Sequence, residues 1–140
     1  MLISALALSL LIQTSGQAPD GPVGLVSGDA RLSSWTNAPV ETAPGVKRIW
    51  WWNLTSPPDR LDGLNRMAFQ YEVHCEAGQL RQTRFELWAD DRLIRGHDQN
   101  QPLHAPVGAW ADSAVAARAC GLSSAEVTAP NLGAAAAHFR

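Results

Sequence analysis

Phe69-Gln70-Tyr71-Glu72-Val73-His74-Cys75 is the stretch that decides the fold, and Cys120 completes its reading. Phe69, Tyr71, Val73 and Cys75 alternate with Gln70, Glu72 and His74. That period of two marks a strand with one buried face, and Cys75 lies on the apolar side. The chain has two cysteines, so Cys120 is the only internal partner for Cys75. Cys120 follows a helix-favouring run at residues 109–119. The expectation is a disulfide joining a central strand to a late helix in a single α+β domain, mostly antiparallel sheet.

Outward from that strand, residues 76–79 fit a short hairpin loop, with Gly78 available for positive φ. Residues 80–88 read as the partner strand, Phe85 and Leu87 on one face and Arg84 and Glu86 on the other. Asp90-Asp91 signals a turn and residues 92–95 a short return strand, so residues 67–95 form a three-stranded meander. On the amino side, residues 46–54 carry Val46, Ile49 and the consecutive Trp50, Trp51 and Trp52, a composition suited to extended structure. Alternation sets Trp51 on one face and Trp50 and Trp52 on the other. Residues 32–35 belong to a first or second strand. Residues 37–45, with Pro39, Pro44 and Gly45, read as a connection. Residues 97–108 read as an ordered loop crossing the sheet.

The late helix spans residues 110–119. Asp112 in its first turn and Arg118 in its last both complement the helix dipole, and Gly121 is placed for a left-handed cap. Ser113, Ala116, Ala117 and Cys120 share one side, which is expected to face the sheet.

The 140 residues suffice for one core, and a charged fraction of 17% excludes a disordered chain. A net charge of −2 leaves no basic footprint for nucleic acid. Residues 2–12 are apolar but fall short of the roughly 17–25 needed for a membrane-spanning helix. They match the hydrophobic region of a signal peptide, followed by the small residues Ser15, Gly16 and Ala18. Cleavage after Ala18 would put Pro19 just beyond the cut, which signal peptidases disfavour, and cleavage after Gly16 avoids this. The organisation expected is a signal peptide at 1–18, a linker at 19–24, the domain at 25–122 and a flexible small-residue tail at 123–140. The mature chain has no integral membrane segment in this reading. It is extracytoplasmic, periplasmic or at the cell surface, where a disulfide persists.

From residue 35 to residue 121 the chain resembles the surface-adhesin protein E family. The resemblance is carried by the tryptophan-rich strand at 46–54, Tyr71-Glu72-Val73-His74-Cys75, Arg81 and Arg84, Pro102 and Pro106, and the closing Ala119-Cys120-Gly121. It implies an antiparallel sheet with a C-terminal helix tethered by the disulfide to its concave face. It also implies a surface or periplasmic location and, in pathogen members, binding to host matrix proteins. The chain departs from the family in lacking a lipid-anchoring cysteine and a lysine- or arginine-rich binding stretch, so no ligand-contact residue is carried over.

Catalytic and metal chemistry find little support. Alternation puts His74 and Cys75 on opposite faces, so they cannot pair as nucleophile and base. His97, Asp98 and His104 lack metal-site spacing. Asp90 and Asp91 read as a solvated turn, and Glu86 as a surface strand residue. No nucleotide-cradling or nucleophile-elbow motif is present. No catalytic residue, metal or cofactor is expected.

The best candidate binding surface is Arg48, Trp50, Trp52, Arg84 and Trp88, because aromatics and arginines dominate protein–protein hot spots. The competing reading packs these rings into the core. The function expected is a non-catalytic envelope protein of adhesin-like or protein-binding type. The alternative is a structural or stress-related periplasmic protein without a specific ligand. Exposed rings at Trp50 and Trp52 favour the first, and covered rings the second.

Overall fold

The computed structural model describes residues 17–56, 63–107 and 110–139. The apolar run at 2–12 lies outside them, as do residues 57–62 after the tryptophan strand. The strands are β1 (Val23–Gly28), β2 (Leu32–Thr36), β3 (Val40–Ala43), β4 (Val46–Thr55), β5 (Arg66–His74), β6 (Gln79–Ala89), β7 (Arg92–Asp98) and β8 (Thr128–Ala129). Two helices complete the chain, α1 (Trp110–Ala119) and α2 (Leu132–Ala137). The strands form one sheet in the order β7-β6-β5-β4-β2-β1-β8, with β3 also paired to β4. Every pairing is antiparallel. The meander expected at residues 67–95 is present as β5, β6 and β7.

Register sorts the side chains into two faces. Trp51 stands opposite Phe69, and Phe69 opposite Phe85; one residue on, Trp52 stands opposite Ala68, and Ala68 opposite Glu86. Ile49, Trp51, Tyr71, Val73 and Leu80 build one apolar cluster, which α1 closes with Val115 and Ala119. Trp35, Trp50, Trp52, Leu54 and Trp88 build the other, which β8 and α2 close with Ala129, Leu132 and Ala135. The domain is therefore layered helix–sheet–helix, with tryptophans on both sides of β4.

The staple is where the alternation of residues 69–75 puts it. Cys75 and Cys120 are disulfide-bonded with Cα atoms 5.6 Å apart. The glycines expected at positive φ adopt it, Gly78 at 62° in the hairpin and Gly121 at 74° after α1. Arg118, in the last turn of α1, donates to Thr36 Oγ1 and to the Leu25 carbonyl, each at 3.3 Å, tying the helix end to β1 and β2.

Four expectations are corrected. Residues 37–45 are not merely a connection, because Val40–Ala43 pairs with the start of β4, where β2 does not reach. All four residues of β3 are exposed, so the strand carries no apolar alternation to read. The helix presents Val115 and Ala119 to the sheet, flanked by Ala111 and Ala116, while Ser113 is exposed. Val115, the β-branched residue of α1, is fully buried in that contact. The loop after β7 runs along the edge of β6 rather than across a face: Gln99 N–H donates to the Thr83 carbonyl, and Leu80 and His104 exchange backbone bonds at 2.9 and 3.1 Å. Finally, the stretch read as a tail builds β8 and α2. Asn131 caps α2 by accepting from the Ala134 N–H at 2.8 Å, and Leu132 and Ala135 are buried. Small residues gave this segment little apolar signal, yet they suit a helix pressed close to indole rings.

Candidate functional site

Arg48, Trp50, Trp52, Arg84 and Trp88 do share one face of the sheet. Arg48 stands in the row with Glu72, Trp50 with Gln70 and Arg84, and Trp52 with Ala68 and Glu86. Trp88 is level with Arg66 and Leu54 in the next row. The Trp50 and Trp52 rings stack with centroids 6.2 Å apart. The rings do not form an open surface, however. Trp52 is 1% exposed, and Trp50 and Trp88 are buried as well. The segment after residue 123 covers this face, and Ala18 packs against the same cluster from the amino end. The expected contact surface is corrected to a core at its three rings, because segments read as a linker and a small-residue tail pack over them.

The polar centre of this face is Glu86, which sequence reading placed at the surface. It is 0% exposed. Arg84 Nε donates to its Oε2 at 2.8 Å; Trp88 Nε1 and the Ala18 backbone N–H donate to its Oε1 at 3.0 and 2.9 Å. A buried carboxylate is tolerated only when paired and hydrogen-bonded, and these donors meet that demand. Arg84 also donates to Asp98 at 3.1 Å. Burial disfavours the Arg84 charge, but its hydrogen bonds to Glu86 and Asp98 hold the guanidinium above its ordinary value. Part of the signal for Glu86 was present in the sequence: its parity in β6 is that of Arg84 and Trp88.

A second ionic group lies further along the same face. Glu72 accepts from Arg81 at 3.1 Å and lies 2.6 Å from His74 Nε2. Glu72 pays for partial burial, but the hydrogen bonds to His74 and Arg81 outweigh it and hold the carboxyl below its ordinary value. The other side chains weighed for chemistry are engaged separately. His97 packs its ring on Phe85, Asp98 pairs with Arg84, and His104 Nδ1 bonds the Ala105 carbonyl. Among the described residues no group of three His, Cys, Asp or Glu side chains is arranged to hold a metal ion. Asp90 and Asp91 form the expected turn, tied to Asn65 by bonds in both directions at 2.7 and 2.8 Å.

Among the described residues, several openings border the tryptophan face. A cleft of about 560 Å³ lies between the amino-terminal segment and α2, lined by Ala18, Asp20, Trp52, Arg66, Trp88 and Leu132 among others. Arg66 lies over the Trp88 ring at 5.9 Å. Burial lowers the Arg66 guanidinium from its ordinary value, opposed by the charges of Asp91, Asp20 and Asp90. Beside this cleft, Trp52 Nε1 is buried without an acceptor among the described residues. No described helix is long and apolar enough to cross a membrane. Comparisons with protein families, curated proteins and solved structures each find no match to this chain.

Proposed function

We propose that the chain is an exported, non-catalytic domain of the cell envelope with a structural role, its first helix lying on the concave side of the sheet. The observation that carries this is the burial of Trp50, Trp52 and Trp88. The aromatic side chains best suited to grip a partner are spent on the fold, and a disulfide holds the opposite face closed. Such a staple persists outside the reducing cytoplasm and suits a small domain that must survive there. Deleting the chain from its host is expected to sensitise the envelope to detergent, with adhesion to matrix proteins unchanged. Tight, saturable binding of the purified domain to matrix proteins would contradict the structural role and restore the adhesin-like one.

A protein-binding role retains one foothold, the cleft beside Trp52. Arg66 and the Trp88 ring, both lining that cleft, suit an extended peptide bearing a carboxylate. Titration with carboxylate-bearing peptides, followed by tryptophan fluorescence, tests it. Saturation abolished by Arg66→Gln supports binding, and an unchanged spectrum removes it.

A further inference from the structure

The amino-terminal segment is held by a group far from it in sequence. Ala18 N–H reaches Glu86 across a separation of 68 residues, and its side chain packs against the tryptophan cluster. On either side of it, Gln17 and Pro19 line the openings next to Trp50 and Trp52. This segment is thus an ordered strap that completes the donor set of a carboxylate fully removed from water.

We infer that the chain is processed at the Gly16–Gln17 bond, and that Glu86 is the internal seat for the amino-terminal strap this cut leaves. The inference rests on the export reading above. Small residues allow a leader to be cut after Gly16 or after Ala18. The second cut removes the donating residue altogether. Its new terminus, at Pro19, begins one residue too far along, since successive Cα atoms are about 3.8 Å apart. Glu86 would keep Arg84 and Trp88 but lose its third partner, and a buried acceptor left short is costly. The first cut preserves the Ala18 amide and leaves Gln17 as a short lead into it. In the reaction a membrane signal peptidase adds water across the Gly16–Gln17 amide. The C–N bond breaks, Gly16 takes the oxygen as a carboxylate, and the Gln17 nitrogen leaves as an ammonium. No electrons are transferred.

The test is peptide mapping of the full chain expressed with its own leader in an exporting bacterium. A first residue of Gln17, with or without loss of ammonia on cyclisation of its side chain, is the result expected. A start at Pro19 overturns the assignment and leaves export intact. A start at Met1 overturns the export reading as well. A second measurement compares urea unfolding of proteins beginning at Gln17 and at Pro19, delivered by the same foreign leader. Loss of the strap is expected to lower the folded-to-unfolded ratio about tenfold or more. Coincident unfolding curves would show that Glu86 does not seat the strap, and would overturn the assignment.

Discussion

Trp88 Nε1 donates to Glu86 Oε1 at 3.0 Å, from two positions along the same strand and the same face. Arg84 closes on the other carboxylate oxygen from two positions before. A run of alternating residues in β6 thereby supplies a buried charge and two of its partners. Replacing Glu86 by leucine strands the Trp88 indole and the Ala18 amide and leaves the Arg84 guanidinium with Asp98 alone of its two carboxylates. The variant is expected to lose roughly 3–5 kcal/mol, the usual cost of breaking a buried ion pair from one side. Urea denaturation followed by tryptophan fluorescence checks this, and a loss under 1 kcal/mol would mean that the site is wet.

The carboxy-terminal helix should matter as much as the central strands. Leu132 is buried against the tryptophan cluster, so Leu132→Ala is expected to cost roughly 2–5 kcal/mol. Ending the chain after residue 126 removes β8 and α2 and should yield a protein that binds a hydrophobic dye. A truncated protein as stable as the whole chain, with no dye binding, would show that the last residues do not cover this face.

The disulfide closes a loop of 45 residues between β5 and the end of α1. The chain-entropy relation gives about 4 kcal/mol for a loop of this length. Replacing both cysteines by alanine should lower the urea midpoint accordingly, with the slope against denaturant little changed. An unchanged midpoint would mean that the packing of Val115 and Ala119 alone holds the helix.

Glu72 sets the sign of one pH dependence. Partial burial would raise its folded carboxyl, but His74 and Arg81 hold it below the ordinary glutamate range. Its contribution is therefore complete above its unfolded value and is lost as pH falls through the lower, folded one. Glu72→Gln should flatten the stability profile below about pH 4.5 and leave the protein near neutral pH only slightly weaker. Parallel acid limbs for the two proteins would exclude this role.

How much was legible follows from how strongly each element alternates. β4, β5 and β6 are long runs that bury large side chains, on both faces in β4, so their existence and the reach of Cys75 to Cys120 could be read directly. β3 exposes every residue and exists by filling an edge of β4, a tertiary cause that leaves no local pattern. α2 is built from leucine, glycine and alanine, and only its Asn131 cap was a readable signal. The candidate site was half legible. Parity within β4 put Arg48, Trp50 and Trp52 on one face, while the strand register that adds Arg84 and Trp88 to it, and the segments that cover it, are tertiary. Parity within β6 puts Glu86 beside Arg84 and Trp88, and its burial follows from the same cover.

Trp50, Trp52 and Trp88 are covered by Ala18 and by the segment from Val127 to Phe139. Hydroxyl-radical footprinting of the native protein, read residue by residue, tests it most directly. The account predicts that Trp50, Trp52 and Trp88 are protected, while Leu122, 83% exposed, is modified readily. Modification of Trp50 and Trp52 at a rate like that of Leu122 would contradict it, and would make that face a contact surface.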